Sequence, residues 1–176
     1  MKSHSSLHRL TVAALIAALY AVLTLVLPFA SFGPVQIRFS EMLTILPVFL
    51  VEAIPGLALG CLLANAIGVS MGMTIPLDIL VGTSATLLAA LSTYALRNVR
   101  IKGLPILATL PPVIFNAVFV GTELCLLVVG DFSVGALALT MGEVGLGQLL
   151  PCIGGGLLLF KGLQKAGFEQ KLSQKL

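Results

Sequence analysis

Most of the seven acidic residues in this 176-residue chain stand inside apolar runs or at their edges. Glu41 follows Ser40 at the head of one run, and Asp78 follows Pro76-Leu77 at the head of another. Glu123 lies near the end of a long apolar stretch, and Glu143 is set in Gly142-Glu143-Val144-Gly145-Leu146-Gly147. Asn65, Asn116 and Gln148 occupy similar settings, and Arg38 is a lone cation just ahead of Glu41. An ionisable group surrounded by hydrocarbon is costly unless paired or hydrated, so residues of this kind are functional candidates by default. The chemistry they offer is recognition. Carboxylates accept paired N–H donors or meet a cation, while amides and a guanidinium donate to a carbonyl.

Each candidate also has a plainer reading. An acid at a helix start complements the macrodipole, which would account for Glu41 and Asp78. Asp131 reads as a solvated loop residue. Glu123 resists that account, because the dipole disfavours an anion near a helix C-terminus. Around Glu143 the missing glycine side chains would let a ligand or a backbone come close. Asn65 and Asn116 serve either as ligand contacts or as interhelical hydrogen-bond glue.

Catalysis is poorly provided for. Both histidines, His4 and His8, precede the first apolar run, so none is available within it for a nucleophile or a metal. No HExxH is present, and no carboxylate–His cluster suggests a metal site. Gly154-Gly155-Gly156 lead to Lys161 without P-loop spacing, so any ATP-driven step would need a motor on other polypeptides and this chain is expected to bind no cofactor. Asp78 with a glutamate could form an acid–base pair, but no nucleophile accompanies them. An intramembrane enzyme and a passive channel or scaffold are therefore the distant alternatives to a transporter component.

The elements that must hold these residues are set by composition. The chain is 58% hydrophobic and 10% charged, with a mean hydropathy of +1.10. Soluble domains carry about 25% charged residues, and a chain this size could not bury so much apolar surface in water. Pro, Gly and charge divide it into six apolar segments, about 10–30, 40–53, 56–69, 77–96, 104–129 and 134–160. The prediction is an all-α membrane protein, a compact bundle of about six transmembrane helices forming one domain over residues 1–176. As α-helices the second and third segments would be roughly 21 Å long, too short to cross a core of ~30 Å unaided. They must lengthen into their flanks or be sheltered by the bundle; a span count of four or five is the alternative. Leu10–Ala30 is too long for a signal-peptide core and reads as a retained first helix.

Basic residues set the orientation. With both termini cytoplasmic, Lys2, Arg9, Arg97, Arg100, Lys102, Lys161, Lys165, Lys171 and Lys175 fall inside and only Arg38 outside. Glu52 and Glu169 fall inside as well, whereas Glu41, Asp78, Glu123, Asp131 and Glu143 gather towards the outer side. Cys61, Cys125 and Cys152 sit in apolar runs without metal spacing and read as packing residues. Nothing suggests a nucleic-acid partner; the lipid bilayer is the partner that composition demands.

Small residues mark the seams between helices. Ala13, Ala17 and Ala21 form one stripe on the first helix, and Ala14 and Ala18 a second beside it. Gly56, Gly60, Ala64 and Gly68 repeat the spacing on the third. Such stripes let helix backbones approach closely, within the bundle or against a separate membrane partner.

Taken in order, Pro34-Val-Gln-Ile-Arg-Phe-Ser-Glu41, Ala53-Ile-Pro-Gly56 with Asn65, Pro76-Leu-Asp78, Pro111-Pro-Val-Ile-Phe-Asn116 through Glu123, and Gly142-Glu143 resemble the QueT family. The resemblance spans nearly the whole chain. It implies an S-component-like fold and a substrate-binding S-component of an energy-coupling factor (ECF) transporter in a prokaryotic plasma membrane. The implied substrates are queuosine precursors, 7-aminomethyl- and 7-cyano-7-deazaguanine. The implied partners are a transmembrane coupling subunit, onto which the alanine stripes would dock, and two ATPases. On this view Glu123 or Glu143 reads the guanine edge and Glu41 or Asp78 meets the amine, while Asn65, Asn116, Gln148 or Arg38 donates to the carbonyl. An S-component for another vitamin-like heterocycle or cation is the alternative.

Overall fold

A computed structural model describes residues 2–33, 35–130 and 132–168, with side chains from residue 6 onward. Pro34, Asp131, Glu169, Lys171 and Lys175 lie outside the described residues, as do the side chains of Lys2 and His4. Among the described residues every regular element is helical. In chain order they are α1 (Lys2–Leu25), α2 (Pro28–Ser31), a 3-10 helix (Phe39–Val48), α3 (Ala53–Ser70), α4 (Asp78–Ala95), a 3-10 turn (Ile106–Thr109), α5 (Leu110–Leu124), a π turn (Cys125–Val129), α6 (Val134–Leu149), a π turn (Leu150–Gly155) and α7 (Gly156–Lys165). Among the described residues, five stretches are long and apolar enough to cross a membrane: Ser6–Leu25, Ala53–Ser70, Asp78–Ala95, Ile106–Val129 and Val134–Lys165.

Side-chain contacts fix their directions. Arg9 pairs with Glu52 at 3.3 Å, and Gly56 and Gly60 lie against Ala13 and Ala17, so α1 and α3 run parallel. The chain must recross the bundle between them, and the 3-10 helix Phe39–Val48 does so. Asn65 reaches Asp78, Thr93 reaches Ala108, and Gly121 meets Met141, so α3 to α6 alternate. The start of α1 and the end of α7 therefore lie at one end of the bundle, together with Arg9, Arg97, Arg100, Lys102, Lys161 and Lys165; by the charge rule this is the inner end.

The second segment departs from the α-helix the sequence led us to expect. Its helix covers Phe39–Val48 rather than 40–53 and is 3-10 throughout. At about 2.0 Å per residue, its ten residues span ~20 Å where an α-helix would span ~15 Å. Pro47 contributes no N–H, and the Thr44 hydroxyl donates to the Glu41 carbonyl at 2.6 Å, which competes with an α ladder. Such backbone is tolerated at membrane depth where protein encloses it, and Ser40, Glu41, Leu43, Thr44, Ile45, Leu46 and Pro47 are all buried.

The other differences have local causes. α1 stops at Leu25 rather than Ala30, since Pro28 opens the one-turn α2, and the Ser31 hydroxyl closes back onto the Thr24 carbonyl at 2.8 Å. α3 extends to 18 residues because Pro55 falls in its first turn, where proline is harmless. Pro111-Pro112, expected near the middle of the fifth span, instead open α5 after the 3-10 turn. The last span is one unit from Val134 to Lys165 that absorbs Pro151 in its π turn.

The α1–α3 seam explains one alanine stripe. A Cβ on Gly56 would lie 2.8 Å from the Ala13 carbonyl, and one on Gly60 would lie 2.7 Å from the Tyr20 Cβ. Ala13, Ala17 and Ala21 are buried in this seam. Gly60→Val is expected to push α1 and α3 apart at a cost of roughly 1–3 kcal/mol, read as a lower melting temperature in detergent.

Candidate ligand-binding site

The seam also places Tyr20. Held against Gly60 and fully buried, its hydroxyl donates to Glu41 Oε1 on the 3-10 helix. One turn further along α1, Thr24 donates to Ser40 Oγ at 2.7 Å. Asn116 of α5 also approaches Glu41, yet its amide nitrogen completes no hydrogen bond, and Glu41 Oε2 stays open.

Arg38, just ahead of the 3-10 helix, is 1% exposed and forms the second knot of the site. Its Nε donates to the Ser31 carbonyl at 3.0 Å, its Nη1 to Cys61 Sγ at 3.9 Å, and its Nη2 to Asp78 Oδ2 at 3.3 Å. The Phe32 ring lies over the guanidinium at 5.1 Å. Asp78 Oδ2 also accepts from Thr74 at 2.8 Å, and the Asp78 carbonyl accepts from Asn65 Nδ2 at 2.8 Å. Gly82 lies beneath this knot because nothing larger fits. A Cβ there would be 2.6 Å from Asn65 Nδ2 and 3.0 Å from Asp78 Oδ1.

Glu123, on the last turn of α5, is the third feature. It is 5% exposed, within electrostatic reach of Asp78 and Arg38, and neither of its oxygens has a partner. Asp78 Oδ1, Asn65 Oδ1 and the hydroxyls of Thr83 and Thr86 are likewise buried and unpaired. A buried polar atom without a partner costs about 1–3 kcal/mol, and native structures hold few of them. Their concentration inside the bundle, with both donors and acceptors open, is what a polar ligand site presents.

Above this layer, at the outer end, a cavity of about 430 Å³ is lined by Phe32, Gln36, Thr74, Leu124, Thr140 and Glu143, among others. That volume lies within the range of small-molecule pockets. Phe32 and Thr74 belong to both levels, facing the cavity while touching Arg38 and Asp78.

The structure thus buries Glu41, Asp78, Asn65, Asn116, Glu123 and Arg38 together inside the bundle, with Glu143 half-buried in the cavity wall. Two expected roles are taken up elsewhere. Gln148 Nε2 donates to the Gln36 carbonyl at 3.2 Å and Gln148 Oε1 accepts from Cys152, so this side chain clamps the outer loop onto α6. Arg38 has all three nitrogens engaged within the protein and is not free to meet a ligand carbonyl. Of the alanines, Ala13 and Ala17 are packed against α3 and Ala21 is buried, whereas Ala14 and Ala18 are exposed. Tyr20, Phe32, Thr74 and Thr86 are the contributors that reading by charge missed. Tyr20 and Thr24 share the helix face of Ala13, Ala17 and Ala21, a signal that was available.

Fold and site together define a multi-pass membrane protein with an interior polar site beneath a cavity at one end, as a solute-binding transport protein requires. The chain belongs to the QueT transporter family, whose model matches residues 10–165. No curated protein and no solved structure matches it.

Proposed function

We propose that this chain captures a queuosine precursor, 7-aminomethyl- or 7-cyano-7-deazaguanine, from the outer face of a prokaryotic plasma membrane. It would act as the S-component of an ECF importer, with a transmembrane coupling subunit and two ATPases on separate chains. The observation that carries the ligand reading is Glu123, a buried carboxylate with both oxygens open. The pyrimidine edge of a 7-deazaguanine presents two adjacent N–H donors, which one carboxylate accepts as a pair. Asn116 shares the α5 face of Glu123, two turns away (~10 Å), and its open Nδ2 supplies the donor a ring carbonyl needs. The ligand enters through the outer cavity and exchanges its hydration for these groups. With Ala13, Ala17 and Ala21 occupied, the exposed pair Ala14 and Ala18 is the part of α1 offered to a coupling subunit. Toppling of the loaded S-component within the module would then carry the ligand inward.

The acid set also favours a second reading, an S-component for another vitamin-like heterocycle or cation, because carboxylates accept from any ligand with paired donors. Proteoliposomes test the scheme. Labelled 7-aminomethyl-7-deazaguanine is expected to accumulate only when this chain, the coupling subunit, both ATPases and ATP are all present. Accumulation by this chain alone would point to a self-sufficient facilitator instead.

A further inference from the structure

Among the described side chains, the inner end of the bundle carries the cations Arg9, Arg97, Arg100, Lys102, Lys161 and Lys165 and a single acid, Glu52. Glu52 is held by Arg9 at 3.3 Å. Arg100, Lys102, Lys161 and Lys165 are exposed, and Arg97 is half-buried. These residues come from two places, the connection between α4 and the 3-10 turn Ile106–Thr109, and α7. The connection is pinned. Ile101 and Leu104 exchange backbone hydrogen bonds of 2.8 and 3.0 Å, with Lys102 at φ 51° and Gly103 at φ 79° between them. Two positive φ values in succession mark a type I′ turn, where a lysine is uncommon. Lys102 is thereby held at the tip. At the base of the turn the Arg100 guanidinium lies 5.1 Å from the centre of the Phe160 ring. That contact fastens the turn to α7, where Lys161 follows Phe160 and Lys165 stands one helical turn further along the same face. Phe160 is itself fixed by stacking on Phe49 at 5.1 Å.

Apolar residues are interleaved with the cations. In Val99-Arg100-Ile101-Lys102 aliphatic and basic side chains alternate, and Val99 and Ile101 are 40% and 41% exposed. On α7, Leu158 is 72% exposed, three residues before Lys161. Such mixed surfaces suit the boundary between acyl chains and headgroups, where both kinds of side chain find partners. The turn lies at that level, because the 18 residues of α4 cover about 27 Å, close to the thickness of a bilayer core. We infer that the turn and α7 together form a site for the headgroup of an anionic phospholipid of the inner leaflet. Lys102, Lys161 and Lys165 donate to its phosphate oxygens, while Val99 and Ile101 sit against its acyl chains. Arg100 positions the turn against α7, and the pinned backbone lowers the ordering cost of binding. The interleaved aliphatics favour lipid over a water-soluble acidic partner, which the cations alone would serve equally well. This site shares no residue with the outer cavity and stands whatever solute is carried.

Affinities for short-chain phosphatidylglycerol and phosphatidylcholine, measured by thermophoresis of the purified full chain in a neutral detergent, test this. Each variant is first shown to be folded by its melting transition. A lysine at an anionic surface contributes about fivefold, so three of them are expected to give wild type a preference for phosphatidylglycerol of about 100-fold. The Lys102→Gln/Lys161→Gln/Lys165→Gln variant is expected to bring that preference to within about threefold, and Lys102→Arg/Lys161→Arg/Lys165→Arg to retain it. Gly103→Val keeps every charge but holds φ 79° only under strain. It is expected to lower the preference by about tenfold, which a diffuse positive field would not do. Equal wild-type affinities for the two lipids would overturn the site. A Gly103→Val protein that bound as wild type does would reduce it to diffuse attraction, against a built site. A triple glutamine variant that kept its lipid preference would overturn it too, and loss of co-purification with a coupling subunit in that variant would assign the patch to a protein partner instead.

Discussion

Glu123→Gln is expected to weaken binding of either 7-deazaguanine by about 100-fold or more, with the empty protein as stable as wild type or slightly more so. The substitution keeps shape and volume but turns one acceptor oxygen into an NH2 group. The ligand edge would then meet an acceptor and a donor where it needs two acceptors. Hydrogen bonds to a charged group are worth about 1.5–3 kcal/mol each, so losing one and opposing the other reaches that scale. The stability half of the expectation follows from burial, since Glu123 is 5% exposed and neither of its oxygens has a hydrogen-bond partner among the described residues. Replacing an unpaired buried carboxylate by a neutral amide removes a desolvation cost. Affinity by calorimetry and melting of the ligand-free protein are read on the same sample. A folded variant with unchanged affinity would remove Glu123 from the site.

The Arg38–Asp78 pair carries the second large effect. Its members are 1% and 2% exposed, and they tie the outer loop at Ser31 and Phe32 to the start of α4. Arg38→Met leaves Asp78 with the Thr74 hydroxyl, and Asp78→Asn leaves a buried guanidinium without the carboxylate it is hydrogen-bonded to. Each single change is expected to cost about 3–5 kcal/mol, whereas exchanging both members of a buried pair is often near neutral. The Arg38→Met/Asp78→Asn double variant should therefore recover most of the stability lost by either single one. The coupling energy of that cycle, from reversible unfolding in detergent, is the readout. Recovery of ligand affinity alongside stability would mark the pair as a brace for the cavity wall. A double variant that is stable yet binds no better than Asp78→Asn would return Asp78 to direct ligand contact.

Much of this was written in the chain because a bilayer imposes strong rules. Twenty apolar residues in a row have few other fates, so five of the spans were legible from composition and punctuation. The depth of the acids was legible too, since each spanning segment converts sequence position into height. Lateral neighbours were harder to read. Nothing in the sequence said that Arg38 would be consumed by Asp78, since forty positions separate them and α3 lies between. The fate of Gln148 was hidden for the same reason, as its partner is the backbone carbonyl of Gln36, 112 residues away. The 3-10 form of Phe39–Val48 is a tertiary effect, imposed by the distance the segment must cover between parallel α1 and α3 and permitted by its near-complete burial. The two alanine stripes differ by one position in sequence, and only the position of α3 decides which is hidden.

This chain by itself is expected to hold a 7-deazaguanine at the buried acids of its outer half. Calorimetric titration of the purified wild-type chain with 7-aminomethyl-7-deazaguanine, with guanine and riboflavin as controls, tests it most directly. Saturable one-to-one binding is expected, tight for the amine and weak or absent for both controls. A folded sample that bound riboflavin, or none of the three, would contradict it.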